Sequence, residues 1–207
     1  MLRSRFSVGS DAWYRADSEA KDVNGWTAMH WMAWGGHESR IRLLVDCGAD
    51  VEAKGGNRQS ALHVASKNGR EAAVKLLIEH GADVEAKDNN GQSTLHVASA
   101  NGNDVVIEVQ IKHCADIEAK DKEGQSTLHV ESANRNEAVR MLIEHGADIE
   151  ANDNHGQSAL HIASVNGYEA VVRMLIDFRA YLEAHEHNGQ WRYLWQRRRG
   201  MILLFGY

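Results

Sequence analysis

Proline is missing altogether from the 207 residues. Average usage of about 5% would supply about ten, so collagen-like and proline-rich architectures are excluded. Cysteine is nearly missing: Cys47 and Cys114 are the only two, too few for a disulfide scaffold. Long apolar runs are also lacking. The longest clean one, Met201 to Phe205, falls far short of a bilayer span. Met1 to Ser10 has no apolar stretch after its arginines, as a secretory signal would require. Net charge is -6, which argues against a nucleic-acid surface. What is present is an ordinary folded composition, 43% apolar and 25% charged.

The charge is uneven. Residues 1–20 balance three basic against three acidic side chains, while 185–207 carry four arginines and one glutamate. Residues 21–184 hold 16 basic and 25 acidic side chains, a net of -9. An acidic body with a basic end implies two unlike parts.

The body repeats itself. His30, His63, His96, His129 and His161 are spaced by 33, 33, 33 and 32 residues. The pair Ala-Asp at 16–17, 49–50, 82–83, 115–116 and 147–148 keeps the same spacing, and Gly91, Gly124, Gly156 and Gly189 follow it. Three landmarks on one period define a repeat array. In the second unit Leu62 and Ala65 form one apolar stripe, and Val74, Leu77 and Ile78 form another. Gly69 separates them, where a left-handed residue ends a helix. Val84 to Gly91 reads as an extended finger with a turn. Helices this short are marginal alone in water and must stack on neighbouring copies.

Gly-Gln-Ser-Thr-Leu-His-Val-Ala at 91–98 and Leu-Leu-Ile-Glu-His-Gly-Ala-Asp-Val-Glu-Ala at 76–86 resemble the ankyrin repeat. The usual Thr-Pro-Leu-His proline is replaced by Ala28, Ala61, Thr94, Thr127 or Ala159. The resemblance covers residues 16–184 and implies an all-α solenoid of stacked helix-turn-helix units with short finger turns. It divides the chain into a non-repeat lead, 1–15, and the finger of a preceding unit. Five repeats follow near 22–54, 55–87, 88–120, 121–152 and 153–185, then an aberrant tail, 186–207.

The family implies protein binding, not catalysis, through residues that flank the finger turn and end the inner helix. Carried over by position, the first unit supplies Val23, Asn24, Trp26, Trp34 and Gly35, and the second Gly56, Asn57, Gln59, Lys67 and Asn68. The third supplies Asn89, Asn90, Gln92, Ala100 and Asn101. The fourth supplies Lys122, Glu123, Gln125, Ala133 and Asn134, and the fifth Asn154, His155, Gln157, Val165 and Asn166. Most of this face is a polar ladder with little individuality. Trp26 and Trp34 are the exception, as candidate aromatic anchors; the alternative is that Trp26, Trp31 and Trp34 cover an exposed end of the array.

Twelve histidines raise the question of a metal. Equivalent atoms in stacked units lie about 8–10 Å apart, whereas ligands must meet at a centre about 2 Å away. The five periodic histidines are therefore structural, bonding the neighbouring backbone. His80, His113 and His145 fall at helix C-termini, where they suit the dipole. His185 and His187 have no partners at zinc spacing. Cys47 and Cys114 are two units apart and read as free thiols. No nucleophile, phosphate-loop or dinucleotide motif occurs. No enzyme activity, cofactor, metal or membrane partner is expected, and the location expected is cytoplasmic.

Three departures stand out. Glu131 replaces the packing alanine of Ala65, Ala98 and Ala163, and Arg135 replaces the inter-helix glycine of Gly36, Gly69, Gly102 and Gly167. A softened fourth unit follows. The finger position that is usually Asn in this family is Glu19, Glu52, Glu85, Glu118, Glu150 and Glu183, with Lys21, Lys54, Lys87 and Lys120 two residues on. These pairs read as a solvated ladder worth little each. Finally, the repeat ends after Gln190, although a sixth unit emerges from a shifted reading frame. Read from the last base of the preceding codon, Trp195-Gln196 gives Ala, Met201-Ile202 gives Asp, and Tyr207 with any stop gives Leu, all in repeat register. The tail thus reads as an out-of-frame sixth repeat, the alternative being a genuine tail with Arg197 to Arg199 as a basic signal. Trp191, Leu194 and Trp195 then form an apolar turn expected to drive self-association. A frameshifted fragment with no selected partner is the alternative to the binding scaffold.

Overall fold

A computed structural model describes residues 17–134 and 138–187 of the chain. Arg135, the lead, and the tail with Trp191, Leu194 and Trp195 lie outside the described residues. Among the described residues ten α-helices alternate as inner and outer members of five pairs. They are α1 (Ala28–Gly35) with α2 (Glu38–Asp46), α3 (Ala61–Lys67) with α4 (Glu71–Glu79), and α5 (Thr94–Ala100) with α6 (Asp104–Lys112). Two further pairs complete the stack, α7 (Thr127–Asn134) with α8 (Ala138–Glu144) and α9 (Ala159–Val165) with α10 (Glu169–His187). Inner helices pack on inner helices and outer on outer, each against its neighbours in sequence. The array is an all-α solenoid.

The core is one continuous cluster running through every unit. Leu62, Leu95 and Leu128 of the inner helices are 0–1% exposed, as are Leu77, Ile107 and Leu142 of the outer ones. A seven- to nine-residue helix has no such stability alone, so burial against the next unit supplies it.

The finger turns need a left-handed residue. Gly25, Gly91, Gly124 and Gly156 provide it with φ of 74–78°. Arg58 stands at that place in the second unit and adopts φ 59°, preceded by Asn57 at φ 57°. The turn tightens there into one 3-10 turn, Gly56–Arg58. A side chain in this region costs about 1 kcal/mol. Arg58→Gly is therefore expected to raise stability by about 1 kcal/mol. Urea unfolding would read this as a higher midpoint; a lower one would show that the arginine side chain holds the turn.

Two sequence expectations meet the structure at the fourth and fifth units. Glu131 is 0% exposed, as are Ala65, Ala98 and Ala163 at the same place. Desolvating a carboxylate costs several kcal/mol even when it is partnered, and exchange for an apolar residue is often stabilising. Glu131→Ala is expected to raise stability by about 1–3 kcal/mol. An unchanged or lower urea midpoint would show that its local interactions outweigh that cost.

At Glu183, where the sequence reading places a finger, the fifth unit is helical. α10 runs unbroken for 19 residues, from Glu169 to His187. In the other units the outer helix ends where Gly48, Gly81, Cys114 or Gly146 turns to φ 63–95°. Arg179 occupies that position, and Tyr181 replaces the aspartate that follows. With neither the left-handed residue nor the turn-forming carboxylate, nothing stops the helix.

The inter-unit contacts and the candidate partner surface

Each inner helix opens on Thr27, Ser60, Ser93, Ser126 or Ser158, three residues before the periodic histidine. In the first unit the Thr27 backbone N–H donates to Nδ1 of His30 at 3.2 Å. A ring nitrogen that accepts this bond is unprotonated, which places the ring proton on Nε2. Nε2 donates to the carbonyl of Gln59 at 3.0 Å. The same bond joins His63 to Gln92, His96 to Gln125 and His129 to Gln157, at 3.0–3.3 Å. One side chain thus caps its own helix and binds the next unit. Burial pushes the imidazoles of His30, His63 and His96 below their usual pKa, and the receiving carbonyl offsets part of that push. His113 and His145 donate from Nδ1 to Val109 and Met141 carbonyls at 2.7 and 2.8 Å, satisfying helix C-termini.

The finger carboxylates do not form the solvated Glu-Lys ladder that their spacing implies. Glu19, Glu52, Glu85 and Glu118 accept from the backbone N–H of Asp50, Asp83, Asp116 and Asp148, each in the next unit, at 2.8–2.9 Å. Lys21, Lys87 and Lys120 donate to the carbonyls of Lys54, Lys120 and Asn152 at 2.8–3.0 Å. Only Lys54 pairs with its own glutamate, Glu52, at 2.8 Å among the described residues. Turns built on Asp50, Asp83, Asp116 and Asp148 aim these groups between units rather than along one finger. Glu150 meets no following finger and instead pairs with Arg179 at 3.2 Å.

The carried-over partner positions divide by what they already bind. At the finger tips, the N–H groups of Gly56, Asn89, Lys122 and Asn154 donate to the carbonyls of Asn24, Asn57, Asn90 and Glu123 at 2.8–3.0 Å. Their backbones form a ladder, while the side chains of Asn57, Asn89, Asn90, Lys122, Glu123 and Asn154 stay exposed. Asn154 also donates its side-chain amide to the Lys122 carbonyl. Asn68, Asn101 and Asn134 turn inward on their own helices, donating to Val64, Val97 and Val130 carbonyls at 2.8–2.9 Å. Gln59 donates to Asp88, and Gln92 and Gln125 are half-buried, while Gln157 and Lys67 are exposed. Much of the polar ladder therefore holds the array together.

The first unit is different. Trp26 is half-buried on the core and lies near-parallel to His30, with centroids 6.0 Å apart. Trp31 packs edge-on to Trp26 at 4.9 Å and to Trp34 at 6.2 Å. Trp31 and Trp34 remain 43% and 48% exposed, and Val23 is fully exposed. Trp31 is the residue the carried-over positions leave out. Its equivalents, Val64, Val97, Val130 and Ile162, are 2–8% exposed, so its place reads as core.

Both thiols are exposed and free. Among the described residues no three His, Cys, Asp or Glu side chains gather as metal ligands would, and no helix is long and apolar enough to cross a membrane.

Stacked helical pairs with finger turns define a repeat solenoid. The chain belongs to the ankyrin repeat family, whose three-copy model, "Ankyrin repeats (3 copies)", matches residues 9–88, 41–121 and 95–185. Ankyrin repeats are in general protein-protein interaction modules and typically not enzymes. A comparison with curated protein sequences returned no match.

Proposed function

We propose that the protein is a non-catalytic scaffold that binds another protein across its finger tips and inner helices, with Trp34 and Trp26 of the first unit as anchors. The observation that carries this reading is the exposed indole cluster at the head of a face that is otherwise mostly polar and largely self-satisfied. Tryptophan dominates interface hot spots because it buries a large rigid surface at small entropic cost. The other positions on this face, from Asn57 to Gln157, exclude water and set register around the anchors. No cofactor enters this function, and a reducing, cytoplasmic compartment suits the two free thiols.

The test is a pull-down from extracts of the source organism, with the full chain and its Trp34→Ala variant as parallel baits. The reading predicts a protein retained by the first and lost by the second. A partner retained equally by both would exclude the anchor, and retention by neither would remove the binding function.

A further inference from the structure

Asp22 differs from its counterparts. Asp88, Asp121 and Asp153 hold the same turn in later units and are 6–9% exposed. Gln59 of the preceding unit covers Asp88, donating to its Oδ2 at 3.3 Å. Asp22 is exposed, and what reaches its Oδ2 is the Nε1–H of Trp31 at 3.2 Å. Its Oδ1 accepts from the backbone N–H groups of Asn24 and Trp26, both at 2.8 Å. The Trp26 backbone bond and its neighbours hold the carboxyl below the usual carboxylate range. The backbone N–H groups of Asn24 and Trp26 and the side chains of Trp31 and Asn24 therefore fix a carboxylate at the edge of an indole cluster. The carboxylate itself stays exposed to solvent at the edge of Trp31, which packs against Trp34, and both rings are partly exposed.

A fixed anion beside electron-rich rings attracts a cation. The indole face is the strongest aromatic acceptor of cations. Guanidinium is the better match of the two basic groups, because its plane lies on an indole while its edge donates to a carboxylate. Two cations of this region, among the described residues, are directed elsewhere: Lys21 donates to the Lys54 carbonyl at 2.8 Å, and Arg70 donates from Nε to the Trp34 carbonyl at 3.0 Å. The net charge of -9 over residues 21–184 draws basic partners toward the array. In later units the Trp31 position is aliphatic and the Trp34 position is Lys67, Ala100, Ala133 or Val165. The combination of carboxylate and indoles is thus confined to the first unit among the described residues.

We propose that Asp22, Trp26, Trp31 and Trp34 together form the docking site for an arginine side chain of the partner protein. This rests on the partner-binding reading above and adds the chemistry of what docks. The guanidinium lies on one exposed indole face of the Trp31–Trp34 pair and donates to Asp22; the other units contribute polar contacts along the rest of the bound segment.

The probes are two peptides, acetyl-Gly-Gly-Arg-Gly-Gly-amide and its citrulline counterpart, which keeps the shape and loses the charge. They are titrated into the full chain while the indole N–H resonances of Trp31 and Trp34 are followed. The arginine peptide is expected to shift both resonances saturably, with affinity falling as salt rises. The citrulline peptide, Asp22→Asn and Trp34→Leu should each weaken binding by about 10-fold. Circular dichroism on both variants separates lost binding from lost folding. Equal affinity for the two peptides, or an Asp22→Asn variant that binds arginine as well as the parent, overturns the proposal. If no arginine peptide binds but the pull-down still retains a Trp34-dependent protein, the arginine site falls and the scaffold reading stands.

Discussion

Replacing His96 with alanine is expected to cost about 3–5 kcal/mol of stability. The imidazole is fully buried and bonds Ser93 at one nitrogen, 2.8 Å from the hydroxyl, and the Gln125 carbonyl at the other, 3.0 Å away. Its removal takes the Nδ1 partner from the buried Ser93, at about 1–3 kcal/mol, leaves the Gln125 carbonyl with only the Asp121 N–H, and opens a cavity besides. A typical domain has only about 5–15 kcal/mol in total. His161→Ala is the control. That ring is exposed and bonds only Ser158 among the described residues, so its loss should cost less than about 1 kcal/mol. Comparable losses at both positions would show that the inter-unit bond contributes little.

The same histidines set a pH dependence. His30, His63 and His96 have pKa values depressed in the folded state by burial, below about 6.5 in the unfolded chain. The unfolded state then binds more protons between those values. Stability is complete above about pH 6.5 and falls as pH drops toward the folded-state values. Each such histidine adds up to about 1.4 kcal/mol per pH unit within that window. Urea midpoints at pH 7.5 and 5.5 read the effect directly: the second should be lower, and the gap smaller in the His96 variant. A flat profile would mean that the rings take up protons inside the folded array.

Trp34→Ala is expected to weaken partner binding by about 2 kcal/mol, or about 30-fold. Its ring is half exposed at the end of α1 and packs on Trp31, so truncation removes contact area without opening the core. Trp26→Ala should lose a similar amount of affinity. It should also lose stability, because that ring lies on the core and against His30. Gln92→Ala should change affinity by less than about 0.5 kcal/mol. Calorimetric titration of the three variants with the captured partner measures all three effects. Small, equal losses would spread the binding evenly over the face and deny the first unit its special place.

The 33-residue period made the helical pairs legible, because apolar stripes and inter-helix glycines recur at fixed offsets. The structural role of His30, His63, His96 and His129 was legible for the same reason: stacking sets equivalent atoms too far apart for one metal. What escaped the sequence depends on contacts about 30 residues away. Glu52 and Lys54 look like a local ion pair in an extended finger, and they do pair. The carboxylate's second bond, however, goes to the N–H of Asp83 in the next unit. Gln110 stands where Leu77 and Leu142 do, yet it is fully buried and donates to the Ser66 hydroxyl at 2.7 Å. No local pattern announces that partner. The length of α10 was foreshadowed by Arg179 and Tyr181, but the repeat register masked the missing turn. Trp31 was left out of the partner positions because its place is core in every later unit; the folded arrangement shows its ring partly open beside Trp34.

Amide hydrogen exchange of the full chain, with and without its captured partner, tests the scaffold account most directly. Bound partner should slow exchange first and most strongly in residues 22–36, which carry Asp22 and the three indoles. Weaker protection should follow at the finger tips around 56–59, 89–92 and 122–125, while the outer helices α2, α4, α6 and α8 stay unchanged. Protection confined to those outer helices, or to residues 191–207, would place the partner elsewhere and contradict the account.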